Sequence, residues 1–246
     1  MEKLFRHPLL IVLVTAAITV FFTAQLPRAQ LDNNNLNMIS KTDPARVESD
    51  YIDETFGSSL FVMVGLERKY GTIFDAEFLR RINAFTNQVK EIPAVDPDGV
   101  SSIMTVDYIS ADGDAIVVEK LVDSDFTGTI EEIALLKQKL LSWDMYRGSF
   151  FSDDFTATQI IIPLNLLTEE AGNTESTESA TRIRNTAQEM FAGLADVYVT
   201  GMPVISGTVN EAIVADVVML VPLVIVIVLG VLFFSFRSLT GVVLPL

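Results

Sequence analysis

Cysteine is absent from the 246 residues, and histidine occurs once, at His7. A disulfide framework, a thiol nucleophile, a Cys/His zinc site and a Ser-His triad are therefore all excluded. Base is scarce as well: 17 Lys and Arg stand against 32 Asp and Glu, for a net charge of −15. Nucleic acid is not an expected partner, because phosphate contacts need clustered Lys and Arg. Charge is missing altogether from two apolar stretches, Pro8 to Leu26 and Val217 to Phe236.

What is present is organised around those two stretches. At about 20 residues each and about 1.5 Å per residue, both match a hydrocarbon core of ~30 Å, so both are expected to span a membrane. Lys3 and Arg6 precede the first stretch and Arg237 follows the second, while the intervening chain is strongly acidic. Basic residues are retained on the cytoplasmic side. The expected layout is a cytoplasmic N-terminus (1–7), a transmembrane helix (8–26), an extracytoplasmic domain (27–216), a second transmembrane helix (217–236) and a cytoplasmic turn leading into the start of a third helix (237–246). A cleaved signal peptide is the rival for the first stretch, but its apolar run is longer than the usual ~7–15 residues and no small-x-small cleavage site follows.

The outer segment mixes strand and helix patterns. Asp32 to Asn35 and Thr42-Asp43-Pro44 predict a loop leaving the membrane. Ser59 to Leu66 predicts a buried strand stopped by charge at Glu67, Arg68 and Lys69. Phe74, Phe78, Ile82, Phe85, Val89 and Ile92 recur every three or four residues, which predicts an amphipathic helix ended by Pro93. Strands are expected at Val100 to Ile109 and Ala115 to Val122, and a helix after the capping-box pair Thr129 and Glu132. Thr156 to Asn165 predicts a strand, with Pro163 marking an edge or bulge. Glu175 to Leu194 predicts a helix and Asp196 to Thr200 a closing strand. Two strand-helix-strand units with an insertion at about 110–155 make a ferredoxin-like (split βαβ) α+β domain the expected fold. Pro203 suits the first turn of a helix continuing into the second spanning stretch.

The run from Thr200 to Leu246 carries the clearest resemblance to a known family. It holds Gly201-Met202-Pro203, Asp216 ahead of the apolar stretch, Pro222 within it, Phe236-Arg237-Ser238 at its inner end, and Gly241 to Leu246 with Pro245. Weaker matches are Asp43-Pro44, Phe56-Gly57 and Tyr146 to Thr158. In order and spacing these resemble the resistance-nodulation-division (RND) superfamily, in the branch of hydrophobe exporters and mycobacterial membrane protein large (MMPL) transporters. The resemblance implies a porter-type outer domain and the N-terminal portion of a proton-driven exporter of hydrophobic or amphiphilic molecules in the cytoplasmic membrane, not an enzyme. The apolar run still open at Leu246 is expected of a fragment. No cofactor is implied beyond the proton motive force. The family's proton-relay carboxylates belong to its fourth and tenth spanning helices, so no residue here takes that role; nor does either apolar stretch hold an ionisable group. Implied partners are the lipid bilayer, a hydrophobic or amphiphilic substrate, the remaining transmembrane helices and further copies of the chain in a homo-oligomer.

Each conspicuous residue also has a plainer reading. Asp216 could gate a lateral opening or bind a cation, yet a lone acid at a helix entrance is ordinarily interfacial. Pro222 either kinks its helix or serves packing. Asp123, Asp125, Thr127 and Gly128 mimic half a calcium loop, but Ala134 stands where a bidentate Glu is required. Phenylalanines from Phe74 to Phe85 read first as a core face rather than a greasy conduit. Gly230 lacks a small residue four positions away and makes no dimer motif. Two other functions compete with export: a two-helix sensor, which would need a charged linker after Phe236, and an auxiliary of protein secretion within the same superfamily.

Overall fold

The computed structural model describes residues 8–25, 39–56, 60–112, 115–123, 126–166 and 173–237. Helix α1 (Pro8–Gln25) lies in one compact unit of the chain; everything from Asn33 onward forms another. In α1, Val14, Ile18, Val20, Phe21 and Phe22 are exposed.

The second unit opens with a helix absent from the sequence reading, α2 (Pro44–Phe56). Asp43 starts it: its carboxylate accepts from the Ala45 amide at 2.9 Å and its carbonyl from the Val47 amide at 3.0 Å. Pro44 takes the first helical position, where no N–H is needed. Thr42-Asp43-Pro44 is thus a helix start, not only a loop.

Strand β1 (Phe61–Arg68) is the middle of a three-stranded antiparallel sheet in the order β4-β1-β5, with β4 spanning Ala157–Pro163 and β5 Ala195–Thr200. The strand does not stop at Leu66 as expected; Glu67 pairs with both Ala157 and Asp196, and Arg68 with Ala195. Charge is tolerated there because Glu67 lies on the outer face of the sheet. Alternation is clean: Val62, Val64 and Leu66 are buried, while Phe61 and Glu67 are exposed.

Helices α3 (Ala76–Val89) and α5 (Thr174–Met190) cover the buried face. Of the predicted stripe Phe78, Ile82, Phe85 and Val89 are fully buried, joined by Leu79, whereas Phe74 and Ile92 are partly buried and lie outside the helix. Asp75 caps α3 by accepting from the Phe78 amide at 2.9 Å. Ala180, Ile183 and Ala187 of α5 face the same core. Phe191, just beyond α5, wedges edge-on between Phe78 and Phe85, with both ring centroids 5.7 Å away. Arg81 ties the helices together by donating to the Met190 carbonyl at 2.7 Å.

The expected strand Val100 to Ile109 is a correction. Residues 100–106 are mainly turns, because Ser102 and Thr105 staple them: the Ser102 amide donates to the Thr105 hydroxyl at 2.9 Å, and that hydroxyl donates to the Val100 carbonyl at 2.8 Å. Ser101 alone bridges to Ile161, leaving the sheet with three full strands rather than the expected four. Strand β2 begins only at Asp107 and runs to Asp112; it pairs with β3 (Ala115–Lys120) as a separate hairpin. Pro163 closes β4, an edge strand, as its missing N–H requires.

Helix α4 (Ile130–Leu141) carries the full capping box. The Glu132 carboxylate accepts from the amides of Thr127, Gly128 and Thr129 at 3.2, 2.7 and 2.8 Å. Those bonds, Thr129 first, hold its pKa below the ordinary value. Thr127 and Gly128 of the half calcium loop are therefore spent on the helix cap, and Asp125 lies outside the described residues.

Candidate functional site

Every described position carrying the family resemblance near the C-terminal end lies on or beside one element, α6 (Met202–Phe236). As the sequence predicts from Pro203, one uninterrupted helix runs from the end of β5 into the apolar stretch. Its 35 residues amount to about 52 Å. Only about 20 of those residues are needed to cross a hydrocarbon core. Its only ionised residues, Glu211 and Asp216, both precede Val217. Among the described residues α6 is the one helix long and apolar enough to cross a membrane, and none of its apolar stretch is buried.

Gly201 makes the turn from strand to helix, at φ 129° and ψ 160°. Its α-carbon packs against the backbone of Phe61 and Val62, so no side chain fits. Pro203 follows in the first turn, as the sequence predicted, and is buried. Val204 and Ser206 are also buried, whereas Met202 and Ile205 point outward. At Gly207 α6 lies against α5: a Cβ there would make ordinary contact with Thr177 at 3.5 Å. Sheet, α5 and α6 are thereby joined.

Farther along, Asp216 is exposed. Pro222 lies inside the helix, leaving the Val218 carbonyl without its usual i+4 donor. Phe236 is the last helical residue, and Arg237 caps the end in a left-handed conformation (φ 47°), its amide donating to the Phe233 carbonyl at 2.8 Å. Ser238 and Pro245 lie outside the described residues. The sites on α6 are strung along its length and do not converge on one point. Among the described residues no grouping of His, Cys, Asp and Glu could hold a metal ion.

A second feature was not anticipated. On the outer face of the sheet, Gly65 of β1 stands between Gln159 of β4 and Tyr198 of β5, and the next row is Ala157, Glu67 and Asp196. Gly65 and Ala157 leave a trough. Residues 148–152 wall one side, held by a Phe151–Thr158 bridge and by the Thr158 hydroxyl donating to the Phe150 carbonyl at 2.8 Å. The result is a groove of about 270 Å³ lined by Gly65, Glu67, Phe150, Gln159 and Tyr198 among others. Its polar wall is largely self-satisfied: the Gln159 side-chain amide donates to the Ser149 carbonyl. Glu67 accepts from the Tyr198 hydroxyl at 3.3 Å. The nearby Glu67 carboxylate raises the pKa of the Tyr198 phenol. A glycine in mid-strand was the available signal for this groove, but the three strands that meet there are distant in sequence.

The comparisons bear on the same region. A search of curated proteins gave no match. The profile of the MMPL family matches residues 76–246, from the first residue of α3 through α5, β5 and all of α6. Asp43-Pro44 and Phe56-Gly57 fall outside that span, whereas Gly201, Pro203, Asp216, Pro222, Phe236 and Arg237 fall inside it. With well over half of its length matched, the chain belongs to the MMPL family.

Proposed function

We propose that the chain is the N-terminal portion of an RND-type exporter that moves hydrophobic or amphiphilic molecules, driven by the proton gradient. Both α1 and α6 cross the cytoplasmic membrane with their outer termini in the cytoplasm, and residues 27–216 form an extracytoplasmic porter-type domain. That domain is a reduced ferredoxin-like arrangement. The antiparallel order β4-β1-β5, with the Ser101 bridge beyond β4, supports this reading, since it preserves the split βαβ order with its second strand shrunk to a single pair.

The observation that carries the proposal is the unbroken helix from Gly201 to the membrane in a member of the MMPL family. Movement of the spanning helix passes to the sheet without a flexible linker. Proton coupling is the work of spanning helices other than α1 and α6, because the apolar stretches contain no ionisable residue. Remaining helices of the transporter and copies of the chain are the partners that would cover the apolar surface of α6. The sensor reading loses ground because Leu239 to Leu246 carries no charge.

The test uses everted membrane vesicles from cells expressing the whole reading frame that contains this chain. Respiring vesicles should accumulate a neutral lipophilic dye, N-phenyl-1-naphthylamine, in a protonophore-sensitive way. A Gly-Gly-Ser-Gly insertion after Asn210 should abolish uptake while leaving protein in the membrane. Accumulation no greater than in vesicles lacking the protein would end the export reading.

A further inference from the structure

The groove on the outer sheet face has a chemical character that the family does not specify. Its floor is a mid-strand glycine, its sides include the rings of Tyr198 and Phe150, and Glu67 is the one ionised residue lining it. Tyr198 is 59 % exposed, so its ring is presented to solvent instead of being packed away. Lys69, two residues from Glu67, is engaged by Asp196 at 3.3 Å, and Arg147, beside the wall at Gly148, lies 3.8 Å from Asp153. Among the described residues, the Glu67 carboxylate accepts only the phenol hydrogen of Tyr198. A carboxylate has about four acceptor directions, so most of its capacity is unused. The other polar groups of the wall are bonded to one another: the Ser149 carbonyl takes the Gln159 amide, and the Phe150 carbonyl takes the Thr158 hydroxyl.

We propose that this groove binds a lipophilic cation, with the cationic centre between the Glu67 carboxylate and the Tyr198 ring and the apolar body lying over Gly65 toward Phe150. Three properties select that class. Aromatic faces attract cations, most strongly where solvent is partly excluded. The Glu67 carboxylate, opposite Asp196 on the neighbouring strand, rejects anions and favours positive charge. Finally, the net charge of −15 biases the field around the domain toward cations. A volume of about 270 Å³ suits aryl groups or a short chain and is too small for a two-chain lipid. The inference deepens the export reading by naming a substrate class, and rests on that reading for its role in transport, though binding itself does not require it.

Gly65 supplies a clean test. A Cβ at that position would meet only Tyr198, at 3.7 Å, and its backbone is not in the left-handed region, so a Cβ is accommodated and Gly65→Val adds its γ-methyls to the trough. Glu67→Gln removes the charge and keeps the shape. The full chain in lipid nanodiscs is dialysed against radiolabelled tetraphenylphosphonium, with empty nanodiscs as the blank and neutral triphenylphosphine oxide as the uncharged comparator.

The expected result is saturable binding of the cation at one site per chain, weakened about tenfold by Glu67→Gln and lost in Gly65→Val. The neutral comparator should bind no more than to empty discs. Equal cation binding by the parent chain and Glu67→Gln, or saturable binding of the neutral compound with the same affinity, overturns the proposal. Failure here leaves the neutral-dye uptake of the vesicles untouched, and failure of that uptake leaves this binding measurable, so the two readings fall separately. If Gly65→Val should not fold, as reported by Trp143 fluorescence, Glu67→Gln alone decides.

Discussion

Gly201 and Phe61 are in backbone contact: a Cβ built on Gly201 would fall within 3.2 Å of the Phe61 carbonyl carbon and 3.3 Å of the Val62 α-carbon, and closer still to the Phe61 oxygen. The first residue beyond β5 thus lies on the first residues of β1, where sheet and spanning helix are joined. A φ of 129° adds a conformation that residues with side chains seldom adopt.

Gly201→Ala should accordingly destabilise the outer domain by about 2–4 kcal/mol, through a clash combined with an unfavourable backbone angle. Gly207→Ala is the control, because its Cβ would make only ordinary contact with Thr177 at 3.5 Å and sits in a helix. It should be neutral or stabilising by up to about 1 kcal/mol. Urea titration of the detergent-solubilised chain, followed by Trp143 fluorescence, separates the two. Equal midpoints for both variants would refute the junction argument.

Phe191→Ala should cost about 3–5 kcal/mol, since a ring buried between Phe78 and Phe85 leaves a cavity that two rigid aromatic neighbours cannot close. Phe191→Leu should recover at least half of that. The same titration reads both, and a loss below about 1 kcal/mol for the alanine variant contradicts the wedge.

How much of this was legible beforehand depends on how local the cause was. The stripe of α3, the Thr129–Glu132 box and Pro203 in the first turn of α6 are encoded within four residues or fewer, and all three appear where the sequence placed them. Helix α2 was missed because Asp43-Pro44 starts turns and helices alike; the helical spacing of Val47, Tyr51, Ile52 and Phe56 among acidic neighbours was the available signal. Val100 to Ile109 looked like a strand by composition; two hydroxyls, Ser102 and Thr105, turn it instead. The groove was invisible for another reason. It exists only because Gly65, Gln159 and Tyr198 fall into one register across three strands, a relationship no local pattern contains.

Asp154 titrates far below its ordinary value of 3.8, at about 2, because the Ser152 hydroxyl and then the Thr156 hydroxyl and amide bond to its carboxylate. A folded-state pKa below the unfolded one stabilises the fold above about pH 4, and that contribution disappears as pH falls toward about 2. Acid unfolding of the parent chain should be steeper between pH 4 and 2 than that of Asp154→Asn. Superimposable acid titrations of the two would show that the turn from Ser152 to Thr156 does not report on folding.

The absence of cysteine makes the proposed topology directly measurable. In intact spheroplasts a membrane-impermeant maleimide should label Gln88→Cys on the exposed side of α3 and should leave Ser238→Cys unmodified until the membrane is permeabilised. Labelling of both, or of Ser238→Cys alone, reverses or refutes the orientation drawn from Lys3, Arg6 and Arg237.

Pro222→Ala should supply an amide to the Val218 carbonyl and slow hydrogen exchange at residues 219–226 of the full chain in nanodiscs. Unchanged exchange would mean that neighbouring groups already satisfy that carbonyl.

The unbroken α6 also sets a scale of motion. Met202 to Asp216, the part of α6 ahead of its charge-free stretch, is about 22 Å long. Pivoting that rod by about 10° where it leaves the bilayer would carry Gly201, and with it the edge of the sheet, sideways by about 4 Å. That is close to the spacing of neighbouring strands. A modest rocking of a single spanning helix is thus geared up into a displacement of nearly one strand spacing at the sheet edge, with no break in the helix to dissipate it.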